Sequence, residues 1–192
     1  ALAAPGDGAP AQGSGVMGLD EWRAQVTDTA GVHAQAWKEL FDGALPAVGA
    51  LPANAAVVAA DPDVLRPFDA AADYLHHVDG RPREDGVRTF FASRGLQVPE
   101  ADAPEADAAP ELTVLALAER KQGYFEQVLE RDGVRVFPEA QDLLERLRAK
   151  GVPVALVTSS KNSRAVLTAG GVLDFFPVIV DGNTAVEDRK ST

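Results

Sequence analysis

Apolar side chains recur at helical spacing through most of the chain, whereas strand-like runs occur only towards its C-terminal end. The clearest helical face has members three or four positions apart: Val32, Ala36, Trp37, Leu40 and Phe41. Thr27 and Asp28 are suitable N-caps for this helix, and Gly43 and Pro46 predict its end. The proline-rich residues 47–67 predict a loop with at most one short helical turn.

Helical patterns continue after this loop. Residues 69–78, 86–94 and 112–131 each predict a helix, and another starts at residue 138 and ends at Gly151. Residues 79–86 are charged and rich in turn formers, and the acidic residues 100–111 predict a surface linker. Helix therefore follows helix from residue 28 to about residue 111, which is typical of an all-α insertion into an α/β core.

Two short apolar runs near the C-terminal end predict buried strands. They cover residues 152–157 and 176–180, and a helical run at 163–169 separates them. Strands that alternate with helices predict a parallel α/β sheet. We therefore assign residues 16–27 and 132–192 to an α/β core, residues 28–131 to a helical insertion with a linker helix, and residues 1–15 to a flexible tail.

Composition excludes several classes of function. The 192 residues carry a formal net charge of -11, which disfavours non-specific binding to nucleic acids and to anionic membranes. The absence of cysteine excludes disulfides, thiolate metal sites and a cysteine nucleophile. No apolar run approaches the roughly 18 residues of a membrane span, and the N-terminus lacks the pattern of a signal peptide. We expect a cytoplasmic protein with no nucleic-acid or membrane partner.

The junction between the first strand and the following helix carries the strongest chemical signal. It reads Val157-Thr158-Ser159-Ser160-Lys161-Asn162. A strand that ends in hydroxyl residues and opens a helix collects hydroxyl groups, unpaired backbone N–H groups and a lysine, all of which suit a phosphate. The alternative is an ordinary solvated turn at a strand end.

Four segments, in the same order, resemble the β-phosphoglucomutase subfamily of haloacid-dehalogenase-like phosphotransferases. Residues 28–38 (Asp-Thr-Ala-Gly-Val-His-Ala-Gln-Ala-Trp-Lys) resemble the start of the family's helical cap, and residues 80–86 resemble its substrate-specificity loop. Arg120-Lys121 resembles the basic pair where the cap returns to the core, and residues 157–162 resemble the second core motif. The resemblance implies a Rossmann-like, doubly wound parallel sheet, incomplete in this chain, with an inserted all-α cap.

The resemblance also implies a chemistry. The family transfers phosphoryl groups through an aspartyl-phosphate with the help of Mg²⁺. Thr158 resembles the hydroxyl that steadies the transferring group, and His33 resembles the histidine that helps to hold the nucleophile loop. The residues implied in binding substrate phosphate are Arg83, Lys121, Ser159, Ser160, Lys161 and Asn162.

Each of the residues in the helical insertion also has a structural interpretation. Arg83 grips a phosphate with two parallel hydrogen bonds in one reading and lies in an exposed charged turn in the other. His33 lies on or beside the apolar face of its helix, where histidines are often only packed or capping. Lys121 is either an anion contact or a solvated helix lysine. Residue types alone do not choose between these readings.

The family's first motif, Phe-Asp-x-Asp-Gly, is not present in this chain. A gapless alignment from Asp28 places Glu21 at the nucleophile and Arg23 at the acid/base position, whereas a one-residue shift places Asp20 at the nucleophile and Trp22 at the acid/base position. Asp20 is the better candidate for the nucleophile and for a Mg²⁺ ligand. Near the C-terminal end, Lys190 falls close to the place of the family's lysine, without the acidic motif that follows it.

Two functions follow from these expectations. The first is Mg²⁺-dependent phosphoryl transfer on a sugar phosphate, of the β-phosphoglucomutase or phosphatase type. The second is a catalytically impaired phosphosugar-binding protein, or a fragment of an enzyme. In either case we expect a small-molecule sugar phosphate as the partner and a monomer or weak homo-oligomer. We also expect either a truncated sheet with an exposed apolar edge, or further strands that this sequence does not contain.

Overall fold

The computed structural model describes residues 26–183, which form two compact units. The helical unit comprises Gly31–Val128. The sheet unit comprises residues 26–30 and 129–183 of the described chain. Asp20 and the predicted tail at 1–15 lie outside the described residues, as do the C-terminal residues 184–192.

Four α-helices organise the helical unit. They are α1 (Thr29–Gly49), α2 (Ala55–Ala60), α3 (Arg83–Ser93) and α4 (Val114–Asp132). The first residues of α1 and the last turn of α4 belong to the sheet unit. Shorter segments join the helices: 3₁₀ turns at Pro52–Asn54, Pro62–Leu65, Pro104–Ala108 and Pro110–Leu112, and a π-helical turn at Tyr74–Val78.

Helix α1 continues through the two residues expected to end it. Both Gly43 and Pro46 lie inside the helix, which extends to Gly49. Proline lacks the N–H that would bond to the carbonyl four residues earlier, so one helical hydrogen bond is lost. Leu45 and Val48, which flank Pro46, are buried with exposed fractions of 2% and 0%. Burial of this apolar face offsets the local cost, so the predicted helix end was wrong.

An aromatic cluster fills the core of the helical unit. Phe41 stacks on Trp37 and Phe90 with ring centroids 5.0 and 3.8 Å away, and meets Phe91 edge-on at 5.5 Å. Phe68 closes the cluster at 5.3 Å from Phe41. Each large buried aromatic side chain removes much apolar surface from water, and ring pairs in these geometries add further attraction. This cluster positions α1 against α3.

The sheet unit contains a small parallel sheet. After α5 (Pro138–Ala149) come β1 (Ala155–Val157), α6 (Ser163–Ala169) and β2 (Val178–Val180). The strands pair in parallel with Leu156 opposite Ile179. Both of these side chains pack against a core that includes Leu144, Leu147 and Leu167. The described part of the chain therefore has the predicted α/β alternation, with mostly helical content and a two-stranded sheet.

One face of this sheet is partly exposed. Side chains alternate between the two faces of a strand, so Val178 and Val180 point away from Ile179. Their exposed fractions are 54% and 41%, and that of Val157 is 37%. Parallel sheets are usually covered on both faces. Within residues 26–183 these three valines therefore leave part of the apolar surface of the sheet exposed.

The first described residues are fixed to the sheet unit by backbone hydrogen bonds. The Phe137 amide donates to the Val26 carbonyl at 3.1 Å, and the Asp28 amide donates to the Arg135 carbonyl at 2.8 Å. Thr27 forms an antiparallel bridge with Val136. These bonds place the start of α1 beside the segment that leads into α5.

Among residues 26–183, no single helix is long and apolar enough to cross a membrane. Helix α1 together with residues Pro52–Ala60 passes the test of length and composition, but the two are bent by 84° at their junction. The apolar residues of α1 form part of the buried aromatic core, which accounts for its composition.

Candidate functional site

The turn that follows β1 is closed by its own hydroxyl groups. Thr158 is buried, and its amide donates to the Val180 carbonyl at 2.9 Å, which continues the sheet by one bond. The Ser160 amide donates to Thr158 Oγ1, and the Asn162 amide donates to Ser160 Oγ, each at 3.2 Å. The expectation of unpaired amides is therefore wrong for Ser160 and Asn162.

The outer side of this 158–162 turn faces solvent. Ser159 and Lys161 are exposed, whereas Ser160 and Asn162 are half-buried. Helix α6, which begins at Ser163, has only seven residues, so its macrodipole adds little to anion binding. The chemistry that the turn offers is therefore hydroxyl hydrogen bonding next to the ammonium group of Lys161.

A second polar segment, at the end of β2, lies against the back of the 158–162 turn. The Gly182 amide donates to the Ser160 carbonyl at 3.1 Å, and Asn183 Nδ2 donates to the Lys161 carbonyl at 3.0 Å. Ser163 Oγ donates to the buried carboxylate of Asp181 at 2.6 Å. Sequence reasoning used this segment only to end the strand. The signal that it missed is that parallel strands end at one edge of a sheet, so residues after β1 and β2 meet there.

In the helical unit, Lys121 is buried among aromatic rings. Its exposed fraction is 3%, and its Nζ lies 2.6 Å from His33 Nδ1. The same Nζ lies 5.3 Å from the ring centre of Trp37 and 5.1 Å from that of Phe125, on which His33 stacks. The structure thus brings together two residues predicted separately from the sequence, and it contradicts the reading of Lys121 as a solvated lysine.

Burial changes the protonation of Lys121. Loss of hydration and, to a smaller extent, the positive charge of Arg83 together lower the pKa of its ammonium group to about 7. Two full positive charges at hydrogen-bond distance from one another would be strongly disfavoured in these surroundings. Lys121 and His33 therefore form a donor–acceptor pair in which one nitrogen donates and the other accepts. Such a pair can gain a proton near neutral pH.

Arg83 is the first residue of α3, whereas the sequence placed it within a loop. Pro82 precedes it, and Glu84 and Asp85 occupy the first helical turn, an arrangement that favours helix initiation. The Arg83 side chain is exposed, and its Nη1 donates to Gln122 Oε1 at 3.2 Å. Arg83 therefore lies beside the helix that carries Lys121, and the assignment to a loop was wrong.

The described residues contain no preformed cluster of metal ligands. Between residues 26 and 183 there is no group of three or more acidic, histidine or cysteine side chains that could hold a metal ion. The Asp181 carboxylate accepts bonds from Ser163 Oγ and from the Asn183 amide. Asp20, which the sequence suggested as nucleophile and metal ligand, lies outside the described residues.

Known proteins resemble this chain over most of its length. The model of the haloacid dehalogenase-like hydrolase family matches residues 26–191. Two proteins named beta-phosphoglucomutase, from Mycobacterium bovis and Mycobacterium tuberculosis, are each 40% identical over 164 residues, which cover 85% of this chain and 58% of theirs. An uncharacterized glycosyl hydrolase of Mycobacterium tuberculosis is 33% identical over 115 residues, 60% of this chain and 8% of that protein.

The chain thus spans 58% of the length of the two beta-phosphoglucomutase relatives. The family match covers both the helical unit and the sheet unit, including the 158–162 turn and the His33–Lys121 pair. The chain belongs to the haloacid dehalogenase-like hydrolases, within the subfamily that resembles β-phosphoglucomutase.

Proposed function

We propose that this chain acts in phosphoryl transfer on a sugar phosphate, in the manner of a β-phosphoglucomutase or a sugar-phosphate phosphatase. The observation that carries the proposal is the 158–162 turn at the end of a parallel strand, in a chain 40% identical to proteins named beta-phosphoglucomutase. Ligands of parallel α/β sheets bind at the carboxyl ends of the strands.

In this proposal the 158–162 turn binds substrate phosphate. Thr158 donates its hydroxyl hydrogen to the transferring phosphoryl group, and the other four residues of the turn bind a phosphate of the sugar. The chain carries a formal net charge of -11, so its overall field repels a phosphate ester. Binding must therefore come from local donors, and Lys161 supplies the positive charge within the turn.

The proposal assigns a second phosphate contact to the helical unit. Arg83 presents several N–H donors at the surface, and the helix that it contacts, α4, carries Lys121 of the Lys121–His33 pair. A phosphate close to Lys121 would raise its pKa, because an anion stabilises the ammonium form. Lys121 would then become charged when substrate binds and remain largely neutral above pH 7 without it.

The finer features of the family are also part of this proposal. They are a doubly wound core formed by 16–27 and 132–192, a helical cap formed by 28–131, and an aspartyl-phosphate on Asp20 with Mg²⁺ as the cofactor. Residues 26–183 contain no group of three or more acidic, histidine or cysteine side chains that could hold a metal ion, so we derive no step through a metal. The metal requirement is a prediction that rests on the family resemblance.

The first experiment separates transfer from binding. The purified chain is incubated with β-glucose 1-phosphate and other hexose phosphates, with Mg²⁺ or with a chelator, and both isomerisation and phosphate release are followed. Transfer that requires Mg²⁺ supports the proposal. Binding without transfer, measured by calorimetry, supports instead the phosphosugar-binding protein. If neither transfer nor binding is detected, both readings are refuted.

The second experiment tests the turn itself with matched variants. Thr158→Val and Lys161→Met remove one donor each, whereas Thr168→Val and Lys150→Met make the same changes at exposed positions of α6 and the end of α5. We expect the first pair to weaken sugar-phosphate binding about tenfold or more, because each loses a hydrogen bond to a charged group. Equal effects in the two pairs would show that the turn is not the site.

A further inference from the structure

Behind the 158–162 turn lies a carboxylate to which the proposed function assigns no role. Asp181 is 5% exposed and directly follows β2. Its Oδ2 accepts the Ser163 hydroxyl at 2.6 Å, and its Oδ1 accepts the Asn183 amide at 3.0 Å. Burying a carboxylate costs free energy unless it is hydrogen-bonded, and the short bond from Ser163 is typical of a charge-assisted contact. Its two hydrogen bonds thus fix the carboxylate at this edge of the sheet.

We propose that Asp181 is a positioning residue for the phosphate-binding turn, and that Gly182 sets how closely the turn can lie against the end of β2. The proposal rests on the proposed function, because it concerns the same turn. Asp181 acts through its neighbours, since its two oxygens accept bonds from Ser163 and Asn183.

Hydrogen bonds join the Asp181–Asn183 segment to the turn and to the residue that follows it. Ser163, held by the carboxylate, is the residue directly after the turn. Asn183, whose amide the carboxylate accepts, donates from Nδ2 to the Lys161 carbonyl at 3.0 Å. Between them, the Gly182 amide donates to the Ser160 carbonyl at 3.1 Å. These bonds hold the backbone of the turn at its middle and towards its end.

Residue 182 is a glycine because the end of β2 lies in close contact with the 158–162 turn. A Cβ atom added at Gly182 would lie 2.4 Å from the Ser159 carbonyl oxygen and 3.0 Å from Cγ of Lys161. The first distance is far below van der Waals contact and involves backbone, which cannot move aside as a side chain can. Any other residue at 182 would push the 159–161 backbone outward. Here glycine is required for space between two chain segments.

Small displacements matter for a phosphate site. Donors aimed at a reacting group must be held within about half an ångström, and a shift of about 1 Å costs up to a hundredfold in rate. Apart from Lys161, the 158–162 turn carries only short side chains, which cannot follow a displaced ligand as a long lysine can. Its position must therefore come from the backbone, and the backbone is held by the Asp181–Asn183 segment.

The test uses two variants that act in different ways. Asp181→Ala removes the carboxylate, and Gly182→Ala adds one methyl group without removing a donor. We expect each to raise the dissociation constant for β-glucose 1-phosphate about tenfold or more and to speed amide exchange in a peptide spanning 158–163. Asp181→Asn keeps one acceptor for the Asn183 amide, so we expect it to restore most of the affinity. Asp174→Ala, at an exposed aspartate, and Gly123→Ala, where an added Cβ meets no atom within 4 Å, are the controls.

The outcomes separate this proposal from the proposed function. If the unmodified chain binds no sugar phosphate but both variants loosen the turn, the function fails and the positioning role remains. If the unmodified chain binds and the folded variants match its affinity, the positioning role is overturned, even if their unfolding midpoints fall. Unchanged amide exchange in the turn also overturns it. Should Asp181→Ala fail to fold, Gly182→Ala decides the matter by the same criteria.

Discussion

The buried Lys121 makes the stability of this protein depend on pH in a window where few other groups titrate. Burial lowers the pKa of Lys121 from its usual 10.5 to about 7 in the folded chain. Between these two values the unfolded chain binds a proton that the folded chain does not. The free energy of unfolding must then rise with pH, because raising pH favours the state that holds fewer protons. The slope is about 1.4 kcal/mol per pH unit while the difference is one full proton.

The perturbation that isolates this effect is Lys121→Met, which keeps an unbranched side chain and removes the titrating group. From pH 7.5 to 9 we expect the free energy of unfolding of the unmodified chain to gain about 2 kcal/mol relative to that of the variant. The gain fades above pH 10.5, where the unfolded lysine also loses its proton. Below pH 7 the folded and the unfolded chain both bind the proton on Lys121, so the free energies of unfolding of the unmodified chain and of the variant change in parallel with pH again.

Urea unfolding, followed by circular dichroism at half-unit steps of pH, measures this difference directly. Lys150→Met removes a positive charge at an exposed position and should follow the unmodified chain across the same range. Parallel curves for Lys121→Met and the unmodified chain would refute the reasoning. That result would mean that His33 and the surrounding rings hold the ammonium form as well as water does.

Three further predictions concern the helical unit. Asp73→Ala leaves the buried Arg94 guanidinium without the carboxylate 2.9 Å away, and should lower the free energy of unfolding by about 3 kcal/mol at pH 7 in urea titrations. Burial raises the pKa of Asp73, but hydrogen bonds from the Asp69 amide and from Arg94 outweigh burial, so the pKa of the folded chain lies below the usual 3.8. The unmodified chain should therefore lose this stabilisation only as pH falls below 3.8 and then through the lowered pKa of the folded chain. Phe41→Ala should cost about 4 kcal/mol, seen as a lower urea midpoint. Gly86→Ala places a methyl group 3.1 Å from the ring of Trp37 and should lower the thermal midpoint, with a cost of about 1–2 kcal/mol.

Local patterns in the sequence predicted the regular elements well where helical spacing was long and uninterrupted. The helix expected at 112–131 is α4, Val114–Asp132, and the one expected from residue 138 to Gly151 is α5, Pro138–Ala149. The strand runs predicted at 152–157 and 176–180 contain β1 and β2, although each strand has only three residues. Hydrophobic periodicity and glycine stops are local signals, and these elements depend mainly on them.

Sequence also determined the family, because four motifs in the right order are carried by the chain itself and need no folded structure to be read. Tertiary structure decided what those residues can do. Lys121 and His33 are 88 positions apart, and only the fold brings them to 2.6 Å among aromatic rings, where burial lowers the lysine pKa. Asp181 and Ser163 meet only because two parallel strands end at one edge. A pKa, a buried hydrogen bond and the space left for a glycine depend on neighbours distant in the chain, and for this reason local patterns could not predict them.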